Sequence, residues 1–180
     1  MYFEIDDSDL QDMDRILAEE GNPIAQYHRG LMYDKGDGVP QDYVEAMRWY
    51  RLSADQGEAR ARNNLGAMYD NGEGVPQDYA EAAHWYRLAA EQGHALSQNS
   101  LGVMYDKGDG VPQDDAEAMR WYRLAAEQGY ADGQYNLALM YYNGADDAEA
   151  VRWWRLAAEQ GHAHAQEMIH KCVAPYLSID

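Results

Sequence analysis

The sequence predicts an all-α fold, a solenoid of tandem helical hairpins, and three observations predict it. The chain matches itself at an offset of 36, since Gly21, Gly57, Gly93 and Gly129 are each 36 apart, with Gly161 following after 32. Blocks 57–92 and 93–128 agree at 25 of 36 positions, and a period of that length marks stacked supersecondary units. Within each block, apolar residues recur at helical spacing on either side of a glycine-rich break.

The first helix of each hairpin, the A helix, carries Leu65-Gly66-Ala67-Met68-Tyr69 in block 2 and Leu101-Gly102-Val103-Met104-Tyr105 in block 3. Ala61, Leu65, Met68 and Tyr69 have the i, i+4, i+7, i+8 spacing of a buried stripe. Gly66 and Gly102 in mid-helix each cost about 1 kcal/mol against alanine, which makes sense where another helix packs too closely for a Cβ. The break follows as Gly36 to Pro40, Gly72 to Pro76 and Gly108 to Pro112. Gly36 suits a left-handed cap, and the proline stops the helix.

The second helix, the B helix, opens with D-x-x-E: Asp42 and Glu45, Asp78 and Glu81, Asp114 and Glu117, Asp146 and Glu149. That pattern predicts a reciprocal capping box worth about 1 kcal/mol per helix. Ala82, Trp85, Tyr86, Ala89 and Ala90 then form its apolar stripe, and arginines fall off it, with Glu45–Arg48 and Glu117–Arg120 as surface pairs. The ends are half-units. Residues 8–20 form a capping helix with Leu10, Met13, Ile16 and Leu17, opened by Ser8-x-x-Gln11, and residues 163–174 form a last A helix stopped by Pro175. The organisation is one domain over 1–180: a cap at 8–20, repeats at 21–56, 57–92, 93–128 and 129–160, and a half-repeat cap at 161–180.

Composition narrows the function classes. Thirty-two acidic residues against 14 Lys plus Arg give a net charge of −18, a field that repels nucleic-acid phosphates and anionic lipid. The expected partner is a protein or peptide, basic in character; nucleic acid and membrane are not expected. One cysteine, Cys172, permits no internal disulfide. The start MYFEIDDSDL has no basic, apolar leader, so a cytoplasmic monomer is expected.

The run from Ala61-x-x-x-Leu65-Gly66-x-x-Tyr69 through Gly72-x-Gly74-Val75-x-x-Asp78 to Ala82-x-x-Trp85-Tyr86 and Ala89-Ala90 resembles the Sel1-like repeat, a relative of the TPR. The resemblance covers residues 21–172. It implies a right-handed α/α superhelix and an adaptor that assembles protein complexes, as in bacterial signalling and host-interaction proteins and in endoplasmic-reticulum-associated degradation. Block 1 departs from it with Arg29 at the core leucine position. Block 4 departs by lacking the four residues equivalent to Asp109–Pro112. Cysteine-rich secreted relatives, described as penicillin-binding with weak β-lactamase activity, supply an enzymatic alternative, although this chain lacks their paired cysteines. An immunity protein or inhibitor covering a basic toxin is a further alternative, drawn from charge and size.

In TPR-like stacks the A helix lines the concave groove. Repeat positions 4, 7, 11, 14 and 15 share one face of that helix and vary while the scaffold positions hold. The candidate contact residues on it are Tyr27, Leu31, Asp34, Arg60, Asn63, Asp70, Asn99, Asp106, Tyr135 and Tyr142. Asn63 and Asn99 have amides able to pair with an extended peptide, Asp34, Asp70 and Asp106 make an acidic row, and the tyrosines offer aromatic anchors.

Other constellations have plainer readings. Trp49, Trp85, Trp121 and Trp153 repeat at helical spacing, which reads as core. Asp34-Lys35-Gly36-Asp37-Gly38 lacks oxygen ligands at the third and fifth loop positions of a calcium site, so it reads as a turn. His162 and His164, like His170 and Cys172, are two residues apart and do not face one another on a helix, so they read as surface residues. No nucleophile elbow, phosphate loop or zinc-protease motif is present, and no catalytic residue, metal or cofactor is expected.

Overall fold

The computed structural model describes the backbone of residues 7–177 and the side chains of residues 13–172. The Ser8–Gln11 box and Leu10 lie outside the described side chains. The described residues form ten helices and no strand: α1 (Asp7–Glu19), α2 (Pro23–Lys35), α3 (Tyr43–Asp55), α4 (Ala59–Asn71), α5 (Tyr79–Ala90), α6 (Ala95–Lys107), α7 (Asp115–Glu127), α8 (Ala131–Asn143), α9 (Asp147–Glu159) and α10 (Ala163–Leu177). Contacts divide the chain into two compact units, Met1–Ala89 and Ala90–Asp180. In the first, α1 packs on α2, α2 on α3 and α3 on α4; in the second, α6 to α10 pack in the same sequential way.

The helix ends are set locally. The amides of Gly36, Gly72 and Gly108 close the A helices onto the Met32, Met68 and Met104 carbonyls, with φ of 72°, 75° and 80° that a side chain rarely adopts. Asp42 Oδ1 accepts from the amides of Val44 and Glu45 at 3.0 and 3.1 Å, and Asp78 and Asp114 cap α5 and α7 in the same way. The reciprocal half of the predicted box is not made. The Asp42, Asp78 and Asp114 amides donate instead to the carbonyls of Tyr33, Tyr69 and Tyr105, each at 2.9 Å. That bond closes the hairpin and leaves Glu45 and Glu117 free to pair with Arg48 and Arg120 at 3.2 and 3.0 Å.

Block 4 keeps the same closing bond across its shorter turn, Asp146 N to Tyr141 O at 2.9 Å. The shortening moves the left-handed residue off glycine: Gly144 has φ −81°, whereas Ala145 sits at φ 61°. A non-glycine residue there carries about 1–2 kcal/mol of strain. At the C-terminus, α10 continues to Leu177, past the predicted stop at Pro175. A proline so close to a helix end forfeits one backbone bond, and the last turn absorbs it.

The hairpins of blocks 1 to 3 are locked by an aromatic ring lying on a helix that has no side chain at that point. A Cβ on Gly66 would stand 2.7 Å from Tyr86 Cδ1, and one on Gly102 would stand 2.7 Å from Tyr122 Cδ1. A Cβ on Gly30 would fall against the Tyr50 ring. The predicted close approach is therefore a tyrosine ring seated flat on α2, α4 and α6. The hydroxyl reaches a carboxylate one turn further along: Tyr50 donates to Asp34 Oδ2 at 3.0 Å, and Tyr122 donates to Asp106. Block 4 changes all three partners together. Ala138 replaces the glycine, Trp154 the tyrosine and Tyr142 the aspartate, and the Tyr142 and Trp154 rings lie 5.5 Å apart.

Around these locks, alanines pack with no exposed surface, Ala46, Ala82, Ala118 and Ala150 among them, and Leu65, Leu101 and Leu137 are fully buried. Trp85 and Trp121 are buried, as the spacing predicts, whereas Trp49 and Trp153 are only half-buried and Trp154 takes the fully buried place in block 4. Arg48, Arg120 and Arg152 cover the rings of Trp49, Trp121 and Trp153 at 5.5, 4.7 and 5.6 Å. Arg29, at the leucine position, turns along its own helix, its guanidinium 5.1 Å from the Tyr33 ring.

Buried glutamines stitch one hairpin to the next. Gln26 Nε2 donates to Ala18 O at 3.2 Å, Gln98 to Ala90 O at 3.1 Å and Gln134 to Ala126 O at 3.2 Å. Their own oxygens accept from Gln56, Gln128 and Gln160 at 2.7, 2.7 and 2.9 Å. Each relay gives a second donor to a helix-end carbonyl that already accepts the amide of the following glycine, Gly21, Gly93 or Gly129. In block 2 Arg62 does this work, donating to Ala54 O at 3.1 Å and to Leu88 O at 3.3 Å.

Three outcomes follow for stability. Gly102→Ala forces the buried Tyr122 ring to move and lowers stability by about 1–3 kcal/mol, read from urea unfolding. Ala145→Gly relieves the left-handed strain and raises stability by about 1 kcal/mol, a gain of roughly 2–4 °C in Tm. Burial, reinforced by Asp34 and Asp106, pushes the Tyr50 and Tyr122 phenols well above their ordinary range. Both hold their protons more tightly folded than unfolded, so their contribution is complete below about pH 10 and is lost as pH climbs beyond it. Tm measured against pH falls in the alkaline range, and the fall is shallower in Tyr50→Phe than in the parent.

Candidate functional site

The variable face of the A helices lies opposite their buried stripe, because Ala25, Ala61, Leu65, Leu101 and Leu137 point into the core. Its residues are best described unit by unit. In the first unit the structure brings Tyr27 and Arg60 together, with the guanidinium 4.5 Å over the phenol ring. Arg60 is itself held by Glu58, Nε to Oε1 at 2.7 Å, a hydrogen bond that raises its pKa further. Burial raises the Tyr27 phenol, and Arg60 partly offsets it. Leu31 and Asp34 are half-buried on the same helix, and Ile24 is exposed at its start. Asp34 already accepts the Tyr50 hydroxyl. Asp70 is half-buried on α4, where its backbone carbonyl accepts from Gln77 at 2.6 Å.

Asn63 and Asn99 occupy the equivalent position on α4 and α6, but their side chains are turned inward, 7% and 9% exposed. Asn63 Nδ2 donates to Asn64 at 3.3 Å, and Asn99 Oδ1 accepts from Asn136 at 2.9 Å. The Asn99 amide serves the contact between α6 and α8, and Asn63 is engaged with its own helix.

In the second unit Tyr135 is stacked on His162, with ring centroids 4.5 Å apart, and His162 Nε2 lies 3.4 Å from Asp132. His162 is not the surface residue its position in the sequence suggests. Its Nδ1 accepts from the Ala165 amide at 3.2 Å and so opens α10, and only 14% of its side chain is exposed. Burial and Asp132 push the Tyr130 phenol up to about 12. Asp106 is half-buried beneath the Tyr122 hydroxyl, and Tyr142 is exposed. The exposed Leu96 matches Ile24 at the head of its helix.

The face thus presents rings and short aliphatic groups held in place, with carboxylates between them. Sequence reasoning missed His162, Asn136 and the glutamine relays. The recurrence of Gln56, Gln92, Gln128 and Gln160 just before each glycine was the available signal. Among the described residues no group of three or more His, Cys, Asp or Glu is placed to hold a metal ion, and no helix is long and apolar enough to cross a membrane.

Comparison with known proteins agrees with this repeat geometry. No curated protein sequence matches the chain. Among solved structures, a protective antigen of uropathogenic Escherichia coli with an SLR fold is similar at 36% identity and a TM-score of 0.86, over 93% of this chain and 37% of that one. A Sel1 repeat protein from Oxalobacter formigenes is similar at 36% identity and a TM-score of 0.82, over 92% of this chain and 49% of that one. The chain therefore spans less than half the length of either. An immunity protein of Pseudomonas aeruginosa shares the fold at 22% identity and a TM-score of 0.59, over 87% of this chain and 59% of that one. The Sel1 repeat model matches residues 23–58, 59–94, 95–130 and 131–162, each frame beginning two residues after a leading glycine. With those matches covering most of its length and the hairpin locks repeating in step with them, the chain belongs to the Sel1 repeat family and is an all-α repeat solenoid.

Proposed function

We propose that the chain is a non-enzymatic protein-interaction scaffold whose A-helix face grips a basic peptide or protein surface. The observation that carries this reading is the composition of that face once internal contacts are counted. In the first unit Tyr27 shares its helix with Asp34, and in the second Tyr135 and Tyr142 share theirs with Asp132, on a chain of net charge −18. Sel1 repeats generally mediate protein–protein contacts, which supports it. Rigid aromatic anchors give contact area at low entropic cost, and the carboxylates favour a cationic partner and reject an anionic one. A basic toxin covered by an immunity protein is one partner of that class.

The test is an array of basic peptides probed with the purified chain, followed by affinity measurements on the best binders. Affinity falls several-fold as salt is raised well above physiological strength, since exposed charges are screened beyond about 8 Å at that strength. Tyr27→Ala and Tyr142→Ala each weaken binding by about 1–2 kcal/mol. Binding indifferent to salt sinks the electrostatic part, and binding indifferent to both substitutions sinks the face.

A further inference from the structure

The shortened turn of block 4 alters more than its own backbone. In block 2 the turn glycine Gly74 lies directly on the first residue of the preceding B helix: a Cβ there would stand 2.7 Å from the Tyr43 carbonyl oxygen. The turn of one repeat thus covers the start of the B helix before it. Block 4 lacks the four residues that include the counterpart of Gly74. The residue left uncovered is Asp115, which opens α7 where Tyr43 and Tyr79 open α3 and α5. The substitution removes a contact as well. Gln41 and Gln77 each donate to those phenols, at 3.1 and 3.0 Å, as well as to the Asp34 and Asp70 carbonyls, whereas Gln113 keeps only the equivalent bond to the Asp106 carbonyl.

At this place the second unit has a cleft of about 380 Å³ between α6, α7 and α8. Met119 and Met140 give it an apolar wall, Asp106 and Asp115 give it carboxylates, and Asn143 and Gly144 close its end. No lysine or arginine lines it. Asp115 is exposed, and its carboxylate makes no hydrogen bond or ion pair among the described residues. Asp106 gives the Tyr122 hydroxyl one bond, which leaves acceptor capacity on a carboxylate that can take about four. The volume is that of about a dozen waters, enough for one long side chain and too small for a folded element.

We propose that this cleft is a socket for one arginine side chain of the basic partner, an inference that rests on the scaffold reading above. The methylene stem lies across the methionine thioethers, which adapt to irregular shapes. The guanidinium then sits with Asp106 and Asp115, matching their oxygens through its planar fork of donors. Asp106 belongs to the proposed contact face, so the socket extends that face at the block that departs from the repeat.

The experiment follows the methionine methyl resonances of the full chain during titration with N-acetyl-arginine methylamide. N-acetyl-norleucine methylamide serves as an uncharged control of similar stem. Saturable shifts at Met119 and Met140 are expected with the arginine probe in the millimolar range and not with norleucine. Asp115→Asn, a change at an exposed residue, weakens the probe about fivefold. Insertion of Asp-Gly-Val-Pro between Gly144 and Ala145, which restores the longer turn, abolishes the shifts while helicity and Tm stay near the parent's. Equal shifts with norleucine, or shifts unmoved by Asp115→Asn, overturn the socket. If the probe fails to bind while Tyr27→Ala still weakens basic peptides, the socket is wrong and the scaffold reading stands. If the probe binds as described while peptides ignore the face substitutions, the socket stands and the scaffold reading is wrong.

Discussion

Everything in the hairpin depends on a tyrosine ring lying flat on a helix at a residue that has no side chain. The ring fills the gap left by Gly30, Gly66 or Gly102, and its depth fixes how closely the two helices approach. Such a contact tolerates little change, because a close-packed interior gives way only by moving the ring or the backbone. Asp34 and Asp106 then hold the hydroxyl, so the ring cannot slide along the helix without breaking a charge-assisted bond. Block 4 sets different partners at these three positions, Ala138, Trp154 and Tyr142, with Ala138 and Trp154 fully buried. That the three change together argues that they form one unit.

Surface ion pairs have a small part in holding the fold. The Glu45–Arg48, Glu117–Arg120 and Glu149–Arg152 pairs of the B helices lie on the surface, with the arginines 57–65% exposed, and pairs of that kind contribute only tenths of a kcal/mol. Helix-end carbonyls instead join the hairpins, reached by the neutral amides of Gln26, Gln98 and Gln134 and, in block 2, by Arg62. A chain stitched this way can carry a net charge of −18 with little electrostatic demand on its core.

The periodic parts of this architecture were legible in the sequence because each rests on a local preference. Gly66 and Gly102 announce a close approach by standing where a helix would favour alanine. Asp42, Asp78 and Asp114 announce helix starts, and the glycine after each A helix announces a left-handed cap. Contacts that join distant residues were not legible. Asp34 reads as a free carboxylate until Tyr50, 16 residues on, is seen to occupy it. Part of the variation at that position therefore follows a partner in the next helix, and only part is open to a ligand. Asn63 and Asn99 share a helical face with Tyr27 and Tyr135, yet the smaller side chains turn inward and the larger rings remain half-exposed. The left-handed Ala145 and the uncovered Asp115 arise from a missing segment, whose effect shows only when neighbouring turns are compared in space.

The proposed contact face rests on a frame in which the locks fix each A helix against its B helix within its unit and the face residues inherit that placement. The direct test of that dependence is a double-mutant cycle on Asp34→Ala and Tyr50→Phe, followed by urea unfolding of all four proteins. A hydrogen bond to a charged group that fixes a buried ring predicts a coupling energy of about 1.5 kcal/mol or more. Additive losses, within about 0.5 kcal/mol, would show that ring and carboxylate act independently and would contradict the account.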